Sequence, residues 1–168
     1  MTGPSPGLPN SLEAVVARAL SQVGRPIRYG MGHGGMHAGD ESPTRDGLCD
    51  CSGFAMWCVG RPRFDGAAWW DTTRIMHDAQ HARSRFASRD WQAAQPGDLV
   101  VYGDTRDATG RNRHGHVGVV TAVDSSGPIS VVHCSKGNDT IFGVAVRETG
   151  PEKFRTRGIV ARPRWEAA

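Results

Sequence analysis

The sequence predicts an α+β fold, on three observations. Helical periodicity is confined to the first half of the chain, strand-like alternation fills the second, and the change falls near Pro96-Gly97-Asp98. Helices and strands segregated in this way pack as an α+β domain rather than as alternating βαβ units. A length of 168 residues fits one domain with an adequate core. Residues 1–9 are expected to be a flexible arm and residues 10–168 a single domain.

Each element has a local cause. Leu12, Val15, Val16, Ala19, Leu20 and Val23 recur at helical spacing and predict a helix over 11–23. Asn10 is placed to cap it, with Glu13 three residues on as in a capping box, and Gly24 and Pro26 stop it. Residues 25–48 read as a long glycine-rich loop holding Tyr29, His33 and His37; a loop of that length inside a compact domain signals function or mobility. Residues 52–59 form a short apolar helix closed by Gly60 and Pro62. A third helix runs over 72–81, with Ile75, Met76 and Ala79 inward. Strands are expected over 98–102, 116–123, 129–134, 141–147 and 158–162, giving an antiparallel sheet of about five strands. Pro96-Gly97-Asp98 and Ser125-Ser126-Gly127-Pro128 are turn signals. There is no internal repeat.

Composition narrows the function classes. A net charge of +3 gives no argument for a nucleic-acid partner, and the basic stretch 155–164 reads as a solvated face. The first nine residues lack the basic start and apolar core of a secretory signal and are too polar for a membrane span. The protein is expected to be made in the cytoplasm, as a monomer, and to leave by a non-standard or phage-associated route if it acts outside. The four cysteines are then expected as reduced thiols.

The residues that carry chemistry are Asp50-Cys51-Ser52-Gly53-Phe54 and, downstream, His114-Gly115-His116-Val117-Gly118-Val119. Cys51 opens the second helix, where unpaired N–H groups and the helix dipole favour a thiolate and an oxyanion. Gly53 removes bulk beside it, and Phe54 and Trp57 anchor the helix. Cys58 lies mid-helix among apolar neighbours, Cys49 precedes the helix, and Cys134 follows a strand; all three read as inert buried thiols. His116 opens an alternating strand that holds an imidazole rigidly, as a base requires; His114 is the competitor. If Val123 pairs with Pro128, Gly118 lies opposite His133, and His133 falls diagonally beside His116 on the same face. A slip of one residue sends it to the other face.

Other readings stay open on these residues. A thioester at Cys51 serves an acyltransferase as well as a hydrolase. His33, His37, Cys49, Cys51 and Cys58 are zinc-ligand types, although one residue between Cys49 and Cys51 is not the usual pair spacing. His77 and His81 read as a solvated helix face, and Trp69-Trp70 as core.

Taken together, Asp50-Cys51-Ser52-Gly53-Phe54, Gln95-Pro96-Gly97-Asp98-Leu99-Val100, Gly115-His116-Val117-Gly118-Val119-Val120 and Val132-His133-Cys134-Ser135 resemble the NlpC-type bacterial cell-wall cysteine peptidases of the papain-like superfamily. The similarity covers residues 11–164 in the family's order. The resemblance implies a papain-like fold with the nucleophile helix packed on an antiparallel sheet. It implies hydrolysis of amide bonds in peptidoglycan stem peptides, next to a D-amino acid, with no metal or organic cofactor. It makes Cys51 the nucleophile, His116 the base and His133 its orienting partner. It makes Asp50, Ser52 and Tyr29 substrate-binding residues. The sequence departs from the family in the long stretch between Tyr29 and Cys51 and in a polar insert over 104–113, expected to form a wall of the cleft.

Overall fold

A computed structural model describes residues 10–166; the expected arm over 1–9 lies outside the described residues. The elements follow in chain order as α1 (Leu12–Ser21), β1 (Arg28–Tyr29), β2 (Leu48–Cys49), α2 (Cys51–Cys58), α3 (Thr72–His77), β3 (Phe86–Arg89), β4 (Leu99–Tyr102), β5 (Thr105–Arg106), β6 (Asn112–Arg113), β7 (His116–Asp124), β8 (Gly127–Cys134), α4 (Lys136–Phe142), β9 (Val146–Thr149), α5 (Glu152–Arg155) and β10 (Ile159–Pro163).

The core is a six-stranded sheet in the order β3-β10-β4-β7-β8-β9, antiparallel throughout. One face carries Leu99, Val101, Val117, Val119, Val132 and Cys134 against Val15 and Ala19 of α1 and Phe54, Ala55 and Trp57 of α2. The other carries Val100, Val120, Val131 and Val160 against Phe154 of α5. With both faces covered, the central strands are apolar on both sides rather than alternating. Among the described residues, no helix is long and apolar enough to cross a membrane.

Several boundaries differ from expectation, each for a local reason. Ser11, not Asn10, caps α1: its hydroxyl accepts the Ala14 N–H at 3.1 Å. The loop over 25–48 is pinned by β1 and β2, which pair in parallel. The third helix changes at Asp78–Ala82 to a π-turn that ends at Arg83, in the left-handed region with φ 55°. There the buried Asp78 carboxylate accepts the N–H groups of Ser84, Arg85 and Phe86. The expected strand over 141–147 begins instead at Val146. Ser135 caps α4 by accepting the Asn138 N–H at 2.9 Å, and Gly143, with φ 74°, ends it, so Ile141 and Phe142 are helical. The sixth strand, β3, is too short to show a period and is recruited by pairing with β10. The basic stretch 155–164 contains part of α5 and all of β10, where Arg162 binds the buried Asp98 carboxylate with two bonds of 2.9 Å.

The β7–β8 hairpin sets the site. Val123 pairs with Pro128, and two irregularities around Ala122 cancel, so that Val120 lies opposite Val131 and Val119 opposite Val132. Continued one residue, that register puts Gly118 opposite His133. A Cβ at Gly118 would stand 2.4 Å from Val131 Cγ1 and 3.2 Å from the His133 Cβ. Gly118→Ala is therefore expected to cost about 1–3 kcal/mol in urea unfolding, the usual range for overpacking. A variant as stable as wild type would show that the hairpin yields at this point.

Candidate active site

Cys51 is the first residue of α2, and Asp50 is its N-cap, accepting the Gly53 N–H at 2.8 Å. The helix is buried along its whole length. The glycine-rich loop lies directly on its start. A Cβ at Gly53 would stand 2.6 Å from the Gly34 carbonyl oxygen, and one at Gly35 would stand 2.3 Å from the Gly53 oxygen. Gly53 is thus required by the approach of the loop, a closer constraint than bulk beside the thiol.

The Cys51 sulfur receives the backbone N–H groups of Ser52 and Val117, which joins the helix start to the start of β7. Both bonds favour the thiolate. Burial, followed by the Asp50 carboxylate, outweighs them and pushes the thiol up to about 12. Cys49, Cys58 and Cys134 are fully buried, whereas Cys51 keeps 7% exposure. Burial raises Cys58, and a hydrogen bond with Cys49 followed by burial raises Cys134. All four cysteines are free thiols.

His116 and His133 meet. Nε2 of His116 and Nδ1 of His133 are 2.7 Å apart, with the rings at 80°. Nε2 of His133 lies 2.9 Å from the Thr149 hydroxyl. The Phe154 ring stacks on His116 at 13° and meets His133 edge-on at 86°. Burial first, then His133 and Lys153, pulls His116 down to about 3; burial and Lys153 pull His133 down to about 4. Both shifts favour the uncharged form, of the thiol at Cys51 and of the imidazole at His116.

Asp50 and Ser52 are held from below by Arg63. This arginine is 1% exposed and binds both Asp50 oxygens at 2.8 and 3.0 Å, the Ser52 hydroxyl at 2.8 Å, and the His33 and Gly34 carbonyls at 3.0 and 3.3 Å. The second Asp50 oxygen also accepts the Gly32 N–H at 2.7 Å. Arg63 Nε is without a hydrogen-bond partner, and the guanidinium lies 4.3 Å from the Trp69 ring. Trp69 is 40% exposed while Trp70 is buried, so the tryptophan pair divides between cleft rim and core.

A cleft of about 200 Å³ opens above this floor, lined in part by Tyr29, Cys51, Ser52, Trp69, Asp104 and His114. Tyr29 is half-buried, and burial, Cys51 and Asp50 raise its phenol, so it stays a proton donor. His114 stands exposed in the wall. The insert forms the β5–β6 hairpin, whose base residue Asp104 accepts the Gly115 N–H at 2.7 Å. His33 binds Asp46 at 2.9 Å on the outer side of the loop. Among the described residues, no group of three or more His, Cys, Asp or Glu side chains is arranged to hold a metal. The His77 and His81 rings pack 4.7 Å apart on an exposed helix face.

Sequence reasoning missed Arg63 and Thr149. Arg63 follows a helix and a proline like any surface arginine, and Thr149 ends an edge strand; nothing in local pattern marks either.

Residues 42–138 match the family model for the CHAP domain, a span that holds Cys51, His116 and His133 and leaves out Tyr29 and Thr149. A search of curated proteins finds no match. Among solved structures, the chain is similar to a protein of Staphylococcus aureus subsp. aureus Mu50 described as similar to a lipoprotein of the NLP/P60 family. The identity is 18% and the TM-score 0.53, over 99% of this chain and 45% of that one. The chain thus spans less than half the length of that protein. The likeness is one of fold: α+β and papain-like, with six strands rather than five in the main sheet.

Proposed function

The chain belongs to the CHAP domain family, and from that premise we propose that it is a cysteine peptidase or amidase that cleaves amide bonds in peptidoglycan stem peptides. The observation that carries this reading is the junction of α2 and β7. There the thiol at a helix start is met by the N–H of Val117, the residue that follows His116 in β7, and Nε2 of His116 is engaged by a second histidine.

The chemistry follows from that arrangement. Nε2 of His116 is tied to His133, which leaves Nδ1 for the thiol. As the Cys51 sulfur attacks the carbonyl carbon, its proton passes to His116, so charge appears only along the reaction path. The Ser52 N–H meets the sulfur and Tyr29 lines the same cleft as Cys51; this N–H and the Tyr29 hydroxyl are the donors for the developing oxyanion. Collapse expels the amine, which takes the proton from His116 and leaves a thioester on Cys51. Water, deprotonated by the same imidazole, then releases the acid. Asp50 and Ser52, locked to Arg63, form the rigid floor against which the stem peptide is read, and Trp69 and the β5–β6 hairpin form its walls.

The test is digestion of purified peptidoglycan with wild type and Cys51→Ala, with fragments read by mass spectrometry. Wild type is expected to release peptides with new amino termini that are absent from the Cys51→Ala digest. Identical fragment profiles would overturn the reading. Adding an amine acceptor separates hydrolysis from acyl transfer: free acids mark the first and amide adducts the second.

A further inference from the structure

The relay behind His116 does not stop at His133. It crosses three neighbouring strands, from His116 on β7 to His133 on β8 to Thr149 on the edge strand β9. Its last bond runs from the Thr149 hydroxyl to the Gly150 carbonyl, at 3.1 Å. A carbonyl oxygen only accepts, and a hydroxyl has one proton. That proton therefore lies on the bond to Gly150, and the hydroxyl faces His133 as an acceptor. His133 must then carry its proton on Nε2, which leaves its Nδ1 bare. A bare Nδ1 accepts from His116, which places the His116 proton on Nε2 and leaves a lone pair on Nδ1.

We propose that Thr149 is a positioning residue that sets the tautomers of both histidines and thereby makes His116 a base toward Cys51. This inference rests on the reading of Cys51 and His116 as nucleophile and base, but it concerns a residue beyond the matched span 42–138. Without the hydroxyl, the His133 Nε2–H loses its acceptor. The alternative arrangement then gains: His133 carries its proton on Nδ1 and donates to His116 Nε2. The His116 proton moves to Nδ1, where it blocks the nitrogen that must accept from the thiol. Holding a triad imidazole in the wrong tautomer costs about 10⁴-fold in serine proteases. A mixture of tautomers is expected to cost less, about 10- to 100-fold.

The experiment compares wild type, Thr149→Val and Thr149→Ser. Valine keeps the shape and strand preference while removing the hydroxyl; serine keeps the hydroxyl. Long-range ¹H–¹⁵N correlation spectra of the histidine side chains at neutral pH report the protonated nitrogen directly and need no substrate. Wild type and Thr149→Ser are expected to show Nε2–H on both histidines, and Thr149→Val a mixture with Nδ1–H. Turnover of peptidoglycan should fall about 10- to 100-fold in the valine variant and return to within about threefold of wild type in the serine variant. Nδ1–H on His133 in wild type would overturn the proposal. So would unchanged tautomers in Thr149→Val, whether or not activity falls, because a loss without a tautomer change marks a purely structural role. Should the protein prove inactive on peptidoglycan, the spectra still decide the question of Thr149 separately from that of function.

Discussion

His116→Ala is expected to lower peptidoglycan turnover by about 10³-fold, in the middle of the range for a lost general base. The pH dependence tests the electrostatic state behind that number. Burial pulls His116 down to about 3 and pushes Cys51 up to about 12, and both shifts favour the neutral forms of the proposed nucleophile and base across the physiological range. Log kcat/KM for wild type should therefore show no acid limb between about pH 5 and 7. A limb centred near the ordinary histidine value of about 6.5 would mean a solvated His116 and would sink this description. Stability should respond in the corresponding direction. The folded state disfavours protonated His116 and His133, so the unfolded chain binds more protons as pH falls below about 6.5. The stabilisation is complete above that value and is lost toward about 4 and then 3, where the two folded histidines titrate. Thermal unfolding at pH 7 and pH 4.5 should show a clear drop for wild type and a smaller one for His116→Ala. Equal drops would place the acid sensitivity in other groups.

Arg63→Met is expected to destabilise the fold by about 3–5 kcal/mol, the range for removing one partner of a buried ion pair. Methionine fills the space but leaves the Asp50 carboxylate, 5% exposed, without its counter-charge and the His33 and Gly34 carbonyls without their donor. Arg63→Lys keeps the charge yet cannot span both Asp50 oxygens and the Ser52 hydroxyl, so it should recover only part of the loss. Pairing Arg63→Met with Asp50→Asn separates the orphaned charge from the lost packing. The double variant should be more stable than the sum of the two single losses implies. Urea unfolding is the measurement, and an Arg63→Met variant within about 0.5 kcal/mol of wild type, the scatter of ordinary surface changes, would show the ion pair to be dispensable.

Much of the site was legible because its parts are local. Cys51 sits where it does because Asp50 has the side chain of an N-cap and the next seven residues are apolar or small. His133 falls beside His116 because a short turn sets the hairpin register, and both irregularities in β7–β8 lie between the turn and the histidines and cancel. The expected strand over 141–147 failed for an equally local reason. Ser135 and Gly143 cap and end a helix there, and strand-like composition at Ile141 and Phe142 does not outweigh two good caps.

Sequence by itself determined the first helix, the strands of the β7–β8 hairpin and the helix start that carries the thiol. These depend on patterns a few residues long. The tertiary structure alone decided that Arg63 lies beneath Asp50 and Ser52 and that Trp69 faces the cleft while Trp70 enters the core. It also decided that the relay ends on Thr149 and that burial favours the uncharged forms of Cys51 and His116. Each of these depends on burial and on partners distant in the chain. The degree to which a charge loses water, and the group that replaces that water, are properties of the packed molecule and leave no local period in the sequence.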